Sequence, residues 1–410
     1  MSTAAAPDVA ELPLRHGGDP LSPRLPLDEL LERRDERLIP YRFPNGVVGW
    51  VTTNAEDFKA ALSDPRLHAK RFLGEPQPCP VSVAVPDMPG FIPSMNGPEH
   101  LRIRRLAAGF FSVKAIEKMR PFIEETVDKY LDQMQASGPP VDLITSFCLP
   151  IPSEVIGHII GVPRDQAKAF QKAAEETIGQ RKGGKDDPNA AAEAVAKLHE
   201  ILGAVVTLKR QQPQDDLISH LTQAGDPQLS DVEITGLCTN LLLAGHDTTA
   251  ASSAVALTLL LQNPDQLQKF VSDPDKVPAR VEELVRMVFV IAENGAGIPR
   301  LVTEDMEFAG YQLKQGDWVM PATGTANIDP EVCPHAALEL DLDRDAGQHV
   351  AFGYGPHTCL GQHLARAELQ VMLANLLARF PTIRLTEPPE TLDWNDEAFI
   401  YRMYEMPVAW

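Results

Sequence analysis

The sequence predicts one mainly α-helical domain with a small β region, and three observations carry that prediction. Apolar residues recur at three- and four-residue spacings over most of the chain from Pro98 to about residue 288. Short β-branched and aromatic runs flank that stretch on both sides. No low-complexity linker or internal repeat divides the 410 residues, although the length alone would allow two or three domains. The expected organisation is an N-terminal arm over residues 1–25 and a single domain over 26–410.

Gly46-Val-Val-Gly-Trp-Val-Thr-Thr53 has strand composition, and a short helix is expected over Ala55 to Ser63. The proline-dense stretch Glu75 to Met95 should be loop. Pro98 suits a first helical turn, and Val113 to Met134 carries a long amphipathic repeat. Helix breaks are expected at Gly138-Pro139-Pro140, Gly161-Val-Pro163, Arg181 to Pro188, Gly225-Asp-Pro227 and Asn263-Pro264. Strands return between Ile298 and Val319. A last long helix should run from Leu360 to Arg379, followed by strands and turns.

The composition narrows the function. A net charge of −20 argues against nucleic acid as a partner, because duplex binding is dominated by Lys and Arg neutralising phosphates. Met1 to Pro20 has no basic flank followed by an apolar run, so no secretory signal is read and a cytoplasmic protein is expected. Gly236 to Gln262 is about membrane length, yet His246, Asp247, Thr248 and Thr249 sit at its centre, where lipid would make them costly. A buried helix with a polar midpoint, and no membrane, is the expectation. Cys79, Cys148, Cys238, Cys333 and Cys359 are odd in number, scattered and free of CxxC pairs, so neither a disulfide framework nor a zinc ribbon is indicated.

One cysteine has a distinctive setting, Phe352-Gly-Tyr-Gly-Pro-His-Thr-Cys359-Leu-Gly361. A metal-bound thiolate needs a loop that exposes sulfur, withholds water and aims backbone N–H groups at the sulfur. Gly353, Gly355 and Gly361 permit such a path, and the helix after Cys359 would place its positive N-terminal end beside the charge. Phe352 would shield the sulfur. The run resembles the haem-binding signature of the cytochrome P450 family, Phe-Gly-x-Gly-x-His-x-Cys-x-Gly, at all six fixed positions. Average residue usage would produce that match by chance in roughly one chain in a million. The rival reading, zinc held by His357, Cys359 and His363, lacks a second ligand cluster at usable spacing.

The resemblance implies the cytochrome P450 fold, with haem b buried between a long oxygen-activating helix and the helix after the cysteine loop. Cys359 would be the axial ligand of the iron, and His357 would reach a haem carboxylate. Ala244-Gly-His-Asp-Thr-Thr249 is similar to the family's acid and alcohol pair, with Ala244 and Gly245 leaving space above the haem. Oxygen cleavage on iron consumes two protons in a largely dry pocket, which Asp247 and Thr248 would deliver. By position alone, Thr248 could instead bond the Ala244 carbonyl four residues earlier and open the helix.

Glu283 and Arg286 match the family's Glu-x-x-Arg element, whose implied role is to lock the cysteine loop. His100 and Arg104 stand i, i+4 and share a helix face. They resemble the family's His-x-x-x-Arg contact to a haem carboxylate, and Arg300 resembles the arginine for the other carboxylate. Arg102 and Arg105 are then left on the surface, as part of a basic patch for an acidic electron donor. The resemblance runs from about residue 26 to the end, with two departures. Val332 to Leu340 lacks the family's frequent aromatic and arginine, which leaves the third partner of Glu283 and Arg286 open. The frequent Asn-Arg-Asp-Pro turn reads Asn327-Ile-Asp-Pro330.

The implied activity is that of a bacterial-type monooxygenase. It inserts one atom of O2 into an organic small molecule by hydroxylation or epoxidation. A ferredoxin and a ferredoxin reductase supply electrons, because the chain has no room for a flavin domain and no Gly-rich dinucleotide fingerprint. A monomer is expected. Two alternatives are a peroxide-driven or non-oxygenating haem-thiolate enzyme, and a non-catalytic haem-binding sensor or partner-support protein. Asp247 and Thr248 count against the first, and the retained cysteine against the second. Substrate would meet Leu241, Ala244, Ala296, Gly297 and Ile400, within a pocket formed by the Glu75 to Met95 loop, the Phe170 to Ala196 region and residues 291–297. Leu360 to Arg366 and Pro407 to Trp410 resemble members that tailor polyketides, macrolides, terpenoids and other secondary metabolites.

Overall fold

The computed structural model describes residues 10–11, 28–43, 46–69, 88–163, 165–177, 188–225, 227–288, 290, 298–335, 337–395 and 400–410. Its centre is a 32-residue helix, Asp231–Gln262, about 48 Å long at 1.5 Å per residue. The helix starts where Ser230 and Glu233 form a reciprocal capping box, so two end groups are satisfied before the apolar run begins. Residues on every side of it are buried, as expected of a helix at the centre of a layered core. Helices Pro150–Ile160, Pro188–Gln211 and Gln362–Arg379 pack around it.

Val113–Ser137 lies against Gln362–Arg379 and presents Ile116, Ile123, Val127, Leu131 and Met134 inward at the predicted spacing. Ser112 caps its start through Ala115 N at 3.3 Å, and Gly138 ends it with φ of 69°. The short helix Ala55–Ser63 has its predicted bounds, set by the Asn54 cap on Asp57 N. Pro98 stands in the first turn of Gly97–Ala108. The breaks at Gly138, Gly161, Gly225 and Asn263 all occur. The proposed break at Arg181 to Pro188 falls almost wholly outside the described residues, as do residues 75–87 of the proline-dense loop.

The β region lies to one side. A six-stranded sheet runs in the order Ala10–Glu11, Leu38–Arg42, Val48–Thr52, Trp318–Met320, Arg300–Val302, Leu67–His68. Two residues of the N-terminal arm thus pair in parallel with Tyr41 and Arg42. Arg300 faces Val319 in register, which fixes its position beside the helical body. A hairpin of Trp394–Asn395 and Arg402–Met403 packs on the long helix.

The structure corrects one expectation about helices and adds one helix that was not expected. The last helix begins at Gln362, not Leu360, because Cys359 N is committed to Phe352 O at 2.8 Å and the first helical bond is Ala365 N to Gly361 O. A short helix at Thr323–Asn327 has no local sequence signal. It forms because Thr325 and Asn327 are buried and bonded to Thr52, Arg286 and Val350 from other elements. Among the described residues no helix is long and apolar enough to cross a membrane.

Candidate active site

The cysteine loop owes its shape to two glycines. Gly353 and Gly355 have φ of 74° and 69°, the left-handed region where a side chain is strained. A Cβ on Gly355 would also stand 2.8 Å from Leu62 O. Gly361 differs from expectation: its φ is −85°, and an added Cβ would meet nothing within 4 Å. Its contribution is its N–H, which donates to the Cys359 sulfur.

Cys359 is exposed, yet enough protein surrounds it that burial pushes its thiol up. Both statements hold for a sulfur lining a recess. The Gly361 N–H and the guanidiniums of Arg104 and Arg366 act in the opposite sense, favouring thiolate. Arg366 lies over the Phe352 ring at 4.3 Å and pairs with Glu282 at 2.7 Å, and Glu282 also holds His349 at 3.0 Å. Burial raises the Glu282 carboxyl, but hydrogen bonds from His349 and Arg366 outweigh it and hold the group at about 2. A folded value below the ordinary 4.5 means stability that is full above pH 4.5 and lost as pH falls through 2. Glu282→Gln should therefore lower stability at pH 7 by up to about 3 kcal/mol, with the gap to wild type narrowing from pH 4.5 and closed below about pH 2, as read by urea unfolding across pH.

Across from the loop, the long helix offers Ala244, which is exposed in the middle of an otherwise buried stretch, and the half-buried Gly245 and Thr248. Thr248 Oγ1 donates to Ala244 O at 2.6 Å. The helix nonetheless continues unbroken, so the local opening considered from sequence does not occur. Asp247 is 4 % exposed, and its Oδ1 faces Arg402 Nε at 3.4 Å. Burial raises its carboxyl to about 6 against the lowering effect of Arg402.

The edge of the site is cationic. His100 and His357 stack with centroids 4.1 Å apart, and Arg104 donates to Thr358 O beside them. Burial, then Arg104 and Arg300, holds His100 at about 4. Burial, then Arg300, His100 and Arg104, holds His357 at about 3. Both imidazoles are therefore neutral, and His100 Nε2 is buried without a hydrogen bond. Two guanidiniums and an unpartnered buried ring nitrogen, grouped beside a thiol, fit a flat iron porphyrin with two carboxylates. Among the described residues no group of three or more His, Cys, Asp or Glu side chains converges, so the zinc alternative has no ligand set. Arg102 corrects the expected basic patch: it is tied to Glu99 at 2.6 Å and Glu233 at 2.5 Å, leaving Arg105 exposed.

Glu283 and Arg286 are buried and joined by two hydrogen bonds of 2.7 and 2.8 Å. Their third partner is Arg344, whose Nε lies 3.1 Å from Glu283 Oε1. The Val332 to Leu340 segment contributes a backbone carbonyl, that of Ala337, to Arg286. Asn327 then carries the network onward, bonding Arg286 O and accepting from Val350 N at 2.7 Å just before the cysteine loop. Sequence reasoning also missed Arg402 and Glu368. Burial raises the Glu368 carboxyl to about 8, with a Thr249 bond opposing.

Of the pocket residues, Leu241 is buried one helical turn before Ala244, and Ile400 is half-buried. Ala296 and Gly297, with all of residues 291–297, lie outside the described residues.

The family model for cytochrome P450 matches residues 186–403. The chain is 37 % identical to nocardicin C N-oxygenase of Nocardia uniformis subsp. tsuyamanensis, over 96 % of this chain and 97 % of that protein. It is 35 % identical to mycinamicin IV hydroxylase/epoxidase of Micromonospora griseorubida, over 90 % and 91 %. The crystal structure of the LnmA cytochrome P450 hydroxylase from the leinamycin biosynthetic pathway of Streptomyces atroolivaceus superposes with a TM-score of 0.86, at 33 % identity, over 98 % of this chain and 100 % of that one. Similarity of that depth over the whole length agrees with the loop and helix geometry: the chain belongs to the cytochrome P450 family, a monooxygenase that uses haem b and O2 on a small organic molecule.

Proposed function

We propose that Cys359 holds the haem iron and that the enzyme hydroxylates or epoxidises a secondary metabolite, such as a polyketide, macrolide or terpenoid. The observation that carries the reading is the exposed Cys359 sulfur, set by two left-handed glycines and bonded by the Gly361 N–H within densely packed protein. The names of its relatives support the substrate class, since they act on nocardicin C and mycinamicin IV. Iron ligated by a thiolate supplies the oxygen-cleaving chemistry. His100, Arg104, Arg300 and His357 hold the two haem carboxylates, and Glu283 with Arg286 locks the loop beneath. Leu241, Ala244 and Ile400 face the substrate, and Ala296 and Gly297, outside the described residues, are proposed with them from the sequence.

Asp247 moves protons. An acid near 6 has both forms populated around neutral pH, which is what a relay requires. Thr248 orients its hydroxyl from the Ala244 carbonyl and passes the proton on. Electrons come from a ferredoxin and its reductase, the protein works as a cytoplasmic monomer, and residues 26–410 form its one domain behind the arm of 1–25.

Carbon monoxide added to the reduced protein is expected to give the red-shifted thiolate band. Its absence would refute Cys359 ligation. A library of natural products screened for the spin-state shift on binding then identifies the substrate class. In Thr248→Ala, product formed per electron pair should fall by about 100-fold, the usual worth of a positioned proton donor, with the balance appearing as peroxide. Full peroxide-driven activity in that variant would instead favour the peroxide-driven alternative.

A further inference from the structure

We propose that Arg402 is the positioning residue for Asp247, holding the acid of the long helix from the C-terminal hairpin while leaving it free to turn. The inference rests on the relay reading of Asp247 given above. A buried carboxylate is costly unless a cation or several donors face it. Asp247 is 4 % exposed and its Oδ1 has no hydrogen bond, so the guanidinium of Arg402 at 3.4 Å is what compensates its charge.

The distance decides what kind of pair this is. Glu283 and Arg286 close to 2.7 and 2.8 Å in two parallel bonds, the geometry of a permanent clamp. At 3.4 Å, Arg402 and Asp247 attract without a well-formed hydrogen bond. Rotating the carboxyl toward Thr248 therefore breaks no hydrogen bond at Oδ1. The hairpin that carries Arg402 is itself fixed: Tyr401 N donates to Val290 O at 2.7 Å, and the Tyr401 ring stacks on Trp394 at 4.7 Å. A cation fixed through its own hairpin thus compensates the charge of the acid from outside the helix that carries it.

The neighbouring titratable groups do not substitute for Arg402. His246, on the same helix, is held neutral at about 4 by burial and then by this guanidinium, against the Leu149 carbonyl. Glu368, from the Gln362–Arg379 helix, bonds Thr249. Cys148, from the Ile144–Cys148 turn, has its thiol pushed up to about 12. The Lys209 and Asp216 pair, on the other helices packed nearby, is closed on itself at 2.5 Å. Burial and Arg402 alone set the Asp247 carboxyl.

The test measures Asp247 directly, through the pH dependence of its carboxyl stretch in infrared difference spectra of the resting holoenzyme, with Asp247→Asn used to assign the band. In wild type the midpoint should lie at about 6. Arg402→Met should raise it by about one to three units, the usual influence of an opposite charge at this range, and Arg402→Lys by less. Product per electron pair should fall about 10-fold in Arg402→Met and recover in part in Arg402→Lys. A midpoint that stays at the wild-type value in both variants overturns the proposal, as does an Arg402→Met loss that is undiminished in the Asp247→Asn background. Should Arg402→Met lose haem, the Arg402→Lys midpoint decides alone: raised supports the role, unmoved refutes it. Full turnover in Asp247→Asn would sink the relay reading itself. Lost turnover there with unmoved Arg402 midpoints sinks only the role of Arg402.

Discussion

Cys359→Ser is expected to remove the red-shifted carbon monoxide band and to lower turnover by more than about 100-fold while leaving the fold intact. Even groups that only support a metal ligand are commonly worth about 10- to 100-fold, so loss of the ligand itself should exceed that range. The site explains why serine cannot replace sulfur here. Gly361 N–H, Arg104 and Arg366 all favour a negative charge at residue 359, but burial opposes it. On binding iron, a thiol would release its proton to solvent far more readily than an alcohol would. Far-ultraviolet circular dichroism separates loss of the ligand from loss of structure. A Cys359→Ser protein that kept both band and turnover would remove the basis of the proposed chemistry.

Glu283→Ala should destabilise the protein by about 3–5 kcal/mol and release haem, because it leaves buried guanidinium charge uncompensated. Glu283 and Arg286 are 0 % and 1 % exposed, so water cannot replace the missing carboxylate. The damage should travel. Arg286 O is bonded by Asn327, whose side-chain oxygen accepts from Val350 N, and Val350 O accepts from Gly353 N at the left-handed turn. Arg344→Ala should cost less, since Arg344 is 12 % exposed and leaves the two bonds between Glu283 and Arg286 in place. Urea unfolding of the two variants side by side, with haem release followed by absorbance, checks the order. Equal stability of Glu283→Ala and wild type would show that the network is ornamental to the fold.

The fold was legible wherever one segment carried its own signal. Ala55–Ser63 has a cap and an apolar face within nine residues, and Val113–Ser137 repeats its apolar positions over six turns. The capping box of Ser230 and Glu233 was also there to be read, as a serine followed three residues later by glutamate. Thr323–Asn327 was not legible, because its buried polar side chains find partners only after distant elements arrive. The same division applies to the site. The loop from Phe352 to Gly361 holds glycines, histidine and cysteine in ten consecutive residues, so its chemistry survives in one dimension. His100 with Arg104 is likewise a short-range pair on one helical face.

The sequence by itself determined the cysteine loop, the polar midpoint of the long helix, and the helical periods that bring them onto one core. Tertiary structure alone decided that Arg344 completes the Glu283 and Arg286 pair, that Arg102 is spent on Glu99 and Glu233, and that Arg402 faces Asp247. The reason is electrostatic. Local spacing encodes which face of an element is apolar, whereas the partner of a buried charge is selected by the cost of desolvation, which exists only once the elements have closed around it.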